Sequence, residues 1–188
     1  MLNIVRYSDL LAGSGGRAMA VSALADGLND IFFASSNTQT FSSDAARCAF
    51  RQRWLGRYLD CDPDLCFVAL DSDGRIAGYI VGALDDPAVS GRFSDIWYFA
   101  TFAALTRRFP AHLHVNLAPA FRNQGVGSAL VSRFVSQASA AGVPGVHVVT
   151  SEGARNIEFY ARNGFQQVGQ AERDGARLVF LGREVAHG

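Results

Sequence analysis

Arg122-Asn123-Gln124-Gly125-Val126-Gly127-Ser128 places two glycines two residues apart at the start of a helix-patterned segment. Val126, Leu130, Phe134 and Val131, Val135, Ala138 recur at spacings of three and four, which is one apolar stripe of an amphipathic helix. Gly142 closes that helix and Pro144 keeps it closed. Ahead of the loop, His112 to Leu117 reads as an apolar strand that runs through Pro119. The first N–H groups of a helix have no partner within it, and the helix dipole favours negative charge there. The segment is therefore a phosphate-binding device. A Gly-Lys-[Ser/Thr] nucleotide loop is excluded, because the chain has no lysine and all 17 basic residues are arginine. A dinucleotide fingerprint requires a third glycine three residues after Gly127, where Leu130 stands.

Other residues could move protons. His112, His114 and Asn116 alternate on one strand face, opposite Leu113, Val115 and Leu117. Imidazoles titrate near pH 6.5, which suits a base acting directly or through water. The same pair reads equally as hydrogen-bonded core histidines. Glu152 is a second candidate base, or else a solvated loop carboxylate. His147 adds a third imidazole, yet no carboxylate or cysteine completes a metal spacing, and a metal site would leave the phosphate loop unexplained. No metal is expected. Cys48, Cys61 and Cys66 are odd in number and fit no metal pattern; Cys66 reads as a small buried hydrophobe.

The elements that position these groups follow from patterning. After an opening strand, helices are expected over roughly Ala18 to Phe33 and Ser43 to Tyr58, the second opened by a Ser/Asp cap and separated from the first by a polar loop. Cys66 to Leu70 and Ile76 to Val81 flank Asp71-Ser72-Asp73-Gly74, a hairpin signal. An aromatic-rich link from Phe93 to Phe109 leads to the strand at His112. Val146 to Thr150 reads as a short buried strand and Ala154 to Arg162 as a helix. Strands Phe165 to Ala171 and Ala176 to Leu181 meet at the turn Asp174-Gly175. Short turns join some strands and helices join others, so the sheet mixes antiparallel and parallel pairs.

At 188 residues the chain is expected to form a single domain, 1–188. Formal net charge is zero, which argues against nucleic acid as a partner. No apolar run approaches the roughly 20 residues that span a bilayer, so no membrane association is expected. Met1-Leu2-Asn3-Ile4-Val5-Arg6 lacks the pattern of a signal peptide, and a reduced cytoplasmic compartment suits the cysteines.

Arg-x-x-Gly-x-Gly, preceded by an apolar strand with Pro three residues before the Arg, resembles the acetyl-CoA signature of the GCN5-related N-acetyltransferase (GNAT) superfamily. Phe159-Tyr160-Ala161-Arg162-Asn163-Gly164-Phe165 resembles its second hallmark, an aromatic-Tyr pair followed by Gly-Phe. The likeness covers roughly Cys66 to Phe180. Pro-Ala-His-Leu-His-Val-Asn-Leu with the later Gly-Val-His-Val is similar, more narrowly, to the acetyltransferase-like domain of some O-GlcNAc hydrolases and of stand-alone bacterial relatives.

The resemblance implies an α/β (α+β) fold: a mixed, mostly antiparallel central sheet with a parallel pair at the cofactor cleft, flanked by helices. It implies an acyl-CoA-dependent N-acyltransferase that moves an acetyl group from acetyl-CoA to an amine on a small molecule, aminosugar or peptide. Backbone amides of Asn123, Gln124, Gly125, Val126, Gly127 and Ser128 would cradle the pyrophosphate, with help from Arg122. The pantetheine arm would lie along Leu117 and Ala118, where an N–H would serve as oxyanion donor. Tyr160 would be the general acid, and His112 or His114 the base, as a His-x-His serves the arylalkylamine acetyltransferases. Asn is frequent in the family where Gly153 stands; Asn156 would supply the missing cofactor contact. The acceptor would approach by the Ser35–Phe41 loop, Asp95 to Tyr98 and the Asp174-Gly175 turn, with Trp97, Tyr98 and Phe99 as an aromatic wall. The alternative is a catalytically degenerate CoA-binding or interaction module. Oligomeric state stays open, a homodimer included.

Overall fold

The structure, a computed structural model, describes residues 2–13 and 19–186. Met1, in the opening hexapeptide, and Ala18, at the expected start of the first long helix, lie outside the described residues. The strands are β1 (Asn3–Arg6), β2 (Phe67–Leu70), β3 (Ile76–Ala83), β4 (Ala111–Leu117), β5 (Gly145–Ser151), β6 (Gln166–Arg173) and β7 (Ala176–Glu184). The helices are α1 (Tyr7–Leu11), α2 (Val21–Ser35), α3 (Asp44–Arg51), α4 (Arg57–Cys61), α5 (Trp97–Thr101), α6 (Ala103–Arg108), α7 (Val126–Ala140) and α8 (Asn156–Arg162). The hydrogen-bonded strand order is β1-β2-β3-β4-β5-β7-β6. Pairs β1–β2, β2–β3, β5–β7 and β6–β7 are antiparallel, and β4–β5 is parallel. This is the mixed sheet expected, with a helix crossing between the parallel neighbours. Among the described residues no helix is long and apolar enough to cross a membrane.

The described residues form two compact units, one within 2–82 and His114–Phe134 and the other within Ala83–Leu113 and 135–186. In the first, β2 and β3 are buried almost end to end, which marks strands covered on both faces. Their hairpin is tied by Asp71, whose carboxylate accepts from the N–H groups of Asp73 (2.9 Å) and Arg75 (2.8 Å). Gly74 completes the turn at φ +82°. Leu24, Leu28, Leu55, Phe67, Ile80, Leu130 and Phe134 are fully buried and form the core. Ser43 caps α3, its hydroxyl accepting from the Ala46 N–H at 3.1 Å. The expected single helix from Ser43 to Tyr58 changes register instead: Gln52–Gly56 is a π-helical turn between α3 and α4.

In the second unit the expected link from Phe93 to Phe109 contains α5 and α6. Phe93, Phe99, Phe102 and Phe109 are buried, so packing holds helices too short to be stable by propensity. The end of α7 closes as expected. Gly142 takes φ +71°, its N–H donates to the Ser139 carbonyl (2.9 Å), and the Val143 N–H donates to the Ala138 carbonyl (3.0 Å). The apolar stripe on α7 is buried throughout.

Candidate active site

The first unit carries the phosphate loop. From Ala118 the chain makes a short 3₁₀ turn at Pro119–Phe121 and enters α7 at Val126. Asn123 (φ 60°) and Gly125 (φ 80°) are both left-handed, so the backbone reverses twice just before the helix. The Gln124 side-chain amide donates to the Ala120 carbonyl at 2.7 Å, and the Gly125 carbonyl accepts the Ala129 N–H at 3.0 Å to start the helix. Arg122, Asn123, Gln124, Gly125 and Ser128 are exposed, whereas Val126 and Gly127 are buried. A Cβ added at Gly125 would meet nothing within 4 Å. The glycine is thus required by its dihedral angle, and the space beside it is open to a ligand.

The strand that feeds this loop is held closely to β3. A Cβ at Gly78 would collide with the Leu117 side chain and lie 2.7 Å from the Asn116 carbonyl oxygen. Only glycine permits that approach. The Ala118 N–H donates to the Ala77 carbonyl at 3.0 Å, so it is already engaged. Successive N–H groups along a strand point to opposite edges, which leaves the Leu117 N–H directed away from β3. Asn116 donates through Nδ2 to the Tyr79 hydroxyl at 2.9 Å.

His114 is half-buried in this unit, beside the rings of Trp54 and Tyr58, each with its centroid 5.4 Å away. Tyr58 Oη lies 3.2 Å from its Nε2. Burial, reinforced by the nearby Arg57 guanidinium, pushes the imidazole down to about 4.

The second unit places His112 quite differently. It is 2% exposed, edge-on to Phe93 at 4.7 Å, and 5.2 Å from Phe99 and 5.5 Å from His147 between ring centroids. His147 stacks on Phe180 at 4.5 Å and bonds through Nδ1 to the Phe109 carbonyl. Among the described residues no group of three His, Cys, Asp or Glu side chains is placed to hold a metal ion.

Tyr160 sits on α8, 4% exposed, with ring centroids of Phe159 at 5.1 Å and Phe165 at 5.4 Å. The helix ends at Gly164 (φ +81°), whose N–H donates to the Ala161 carbonyl (3.0 Å), while the Phe165 N–H donates to that of Tyr160 (3.1 Å). That closure turns Phe165 back onto the tyrosine ring, a physical reason for the Gly-Phe after the Tyr. Burial pushes the Tyr160 phenol up, so it stays protonated at neutral pH.

Asn156 opens α8 and accepts from the Thr150 hydroxyl at 3.0 Å; Gly153 before it is left-handed at φ +71°. Glu152 is half-exposed and paired with Arg177 at 3.5 Å. It borders a cavity of about 390 Å³ with Gln170, Ala171, Glu172, Arg177 and Leu178. Tyr98 and Phe99, expected in an aromatic wall, are buried core side chains; Trp97 stays half-exposed with the Arg173 guanidinium 5.4 Å from its ring. Gly78, Ala77, Trp54 and Tyr58 were not predicted from sequence as parts of the site. Only the spacing of four between Trp54 and Tyr58 hints that both serve one neighbour.

A sequence profile of the Acetyltransferase (GNAT) family matches residues 32–165. The fold is similar to that of SsHAT, at 19% identity, 98% coverage of both chains and a TM-score of 0.70. It is similar to Chaetomium thermophilum Naa20, solved with a bisubstrate analogue, at 20% identity, covering 100% of this chain and 87% of that one, with a TM-score of 0.60. It is also similar to a GNAT superfamily phosphinothricin acetyltransferase from Sinorhizobium meliloti, solved in complex with AcCoA (19% identity, 92% and 88% covered, TM-score 0.58).

Proposed function

This chain belongs to the Acetyltransferase (GNAT) family, and from that premise we propose that it moves an acetyl group from acetyl-CoA directly to an amine. The observation that carries the proposal is the doubly reversed loop at the N-terminus of α7, exposed and with open space beside Gly125. Backbone amides from Asn123 to Ser128 bind the pyrophosphate there, and the exposed Arg122 adds charge at the loop's start. The AcCoA complex of the Sinorhizobium meliloti relative supports this choice of cofactor.

Acetyl-CoA supplies a thioester whose acyl carbon an amine can attack. Leu117 and Ala118 hold its pantetheine arm, and the Leu117 N–H, the one not spent on β3, stabilises the oxyanion. Such a donor contributes about 3 kcal/mol in other acyl-transfer sites. Tyr160 gives its proton to the departing thiolate. Asn156 adds a polar contact to the cofactor. For the amine's proton the geometry favours water: His112 lies in an aromatic core, Glu152 is paired with Arg177, and His114 is a weak base at about 4. The acceptor is a small-molecule amine, an aminosugar or a peptide; the bisubstrate complex of Naa20 supports an acceptor held beside the cofactor.

A second reading, a CoA-binding module without turnover, is favoured by Gly153 where the family often has Asn. One experiment addresses both. Acetyl-CoA at 100 times its dissociation constant should stabilise the protein by about 2.7 kcal/mol in a thermal-shift measurement. Gly125→Glu, adding bulk and like charge to the cradle, should abolish the shift while the protein stays folded. No shift for the natural chain at millimolar ligand would refute the proposal. A shift without CoA release across a panel of amines would leave the binding module.

A further inference from the structure

An aspartate or asparagine followed by glycine can shift its linkage in the chain without any enzyme. The glycine nitrogen attacks the preceding side-chain carbonyl carbon, and glycine, lacking a Cβ, hinders that attack least. The sequence has four such steps: Asp26-Gly27, Asp73-Gly74, Asn163-Gly164 and Asp174-Gly175. Three of the four nitrogens are engaged. Gly27 lies inside α2, where amides are bound along the helix. The Gly74 N–H donates to the Asp71 carbonyl at 3.1 Å, and the Gly164 N–H to the Ala161 carbonyl at 3.0 Å. Asn163 is held as well: its Nδ2 donates to the Phe159 carbonyl at 2.8 Å, and its own carbonyl accepts from Arg183 Nη1 at 2.8 Å.

The turn between β6 and β7 lacks these restraints. Arg173 pairs with Ala176, so Asp174 and Gly175 form a two-residue tip outside the ladder. Among the described residues the Gly175 N–H donates to no acceptor, and a Cβ at Gly175 would meet nothing within 4 Å. The Asp174 side chain is 89% exposed, and its contact with Arg173 Nε at 3.4 Å is too open to water to withhold it. Asp174 also stands at φ 52°, which a residue with a Cβ adopts at a cost; a longer turn no longer imposes that angle.

We propose that Asp174 is the site at which the folded chain converts aspartate to isoaspartate. Gly175 N bonds to Asp174 Cγ, the Cγ–O bond breaks, and the departing hydroxyl takes the amide proton and leaves as water. Water then opens the succinimide at the Asp174 main-chain carbonyl, and the backbone runs on through Cγ, one carbon longer. The extra carbon lies between Arg173 and Ala176, next to the pair Glu172 and Arg177. Arg177 holds Glu172 (3.1 Å) and Glu152 (3.5 Å) at the border of the cavity of about 390 Å³, so the conversion reshapes that wall. None of this depends on the acetyl-transfer reading.

The full chain, kept for weeks at neutral pH both folded and in urea, tests it by peptide mapping with electron-transfer fragmentation, which tells isoaspartate from aspartate. In the folded protein, isoaspartate at position 174 should exceed that at 26, 73 and 163 by about tenfold or more, the scale of one engaged hydrogen bond. In urea the order should reverse in favour of Asn163, because an amide loses ammonia more readily than a carboxylate loses water. Asp174→Gly, which keeps a two-residue turn, should end the accumulation, and Asp174→Asn should hasten it. In the modified fraction the Glu172 and Arg177 amide resonances should move; unmoved resonances would overturn the effect on the cavity wall. Folded protein converted first at 73 or 163, or unconverted at 174 even in Asp174→Asn, would overturn the site.

Discussion

Tyr160 keeps its proton because the rings of Phe159 and Phe165 replace the water that would solvate a phenolate. Tyr160→Phe preserves that packing and removes only the hydroxyl. It should lower kcat by about 10² or more and leave the acetyl-CoA dissociation constant unchanged. Since burial raises the phenol's pKa, the rate should not fall on its account until the pH passes the ordinary value of about 10. A pH–rate profile of the natural enzyme and turnover of the variant check both, and full activity in Tyr160→Phe would remove the residue from the chemistry. The packing around this tyrosine was legible in the sequence because Gly164 and Phe165 enforce it locally. The two imidazoles of β4 were not separable in the same way. Alternation puts His112 and His114 on one face, but their environments come from Phe93 and Phe99 in one case and from Trp54 and Tyr58 in the other, all remote in sequence.

β3 and β4 come together at Gly78, and that approach sets where the Leu117 amide points. Gly78→Val would push a side chain into Leu117 and the Asn116 backbone. We expect a loss of about 1–3 kcal/mol of stability and a fall in kcat larger than any change in acetyl-CoA affinity. Equilibrium unfolding with kinetics checks this, and unaltered kcat in a folded variant would show that the strand end does not orient a reacting group. Most elements were legible from periodicity: α7 from its stripe and Gly142, and the β2–β3 hairpin from Asp71 to Gly74. The π turn at Gln52–Gly56 and the helices α5 and α6 were not, because neither has a repeating pattern long enough to read. Their aromatic side chains are ordered by burial against remote partners. The engagement of the Ala118 N–H by Ala77 was equally invisible, since strand register is a long-range property.

Stability of the chain should depend on acidity through His114. Its folded pKa is about 4 and its unfolded value near 6.5, so between these the unfolded chain binds more protons. The contribution is fully present above about pH 6.5, is lost progressively as the pH falls, and is gone below about 4. Urea unfolding at pH 7.5 and pH 5 should show the loss, and His114→Gln should weaken the dependence; an equal slope in the variant would assign it to other groups. The strand order has a separate consequence for biosynthesis. β6 pairs with β7, which occupies the place beside β5, so the later strand must dock before the earlier one has a neighbour. A chain cut short at Asp174-Gly175 would leave β6 with nothing to join and the edge of β5 bare, an invitation to aggregation.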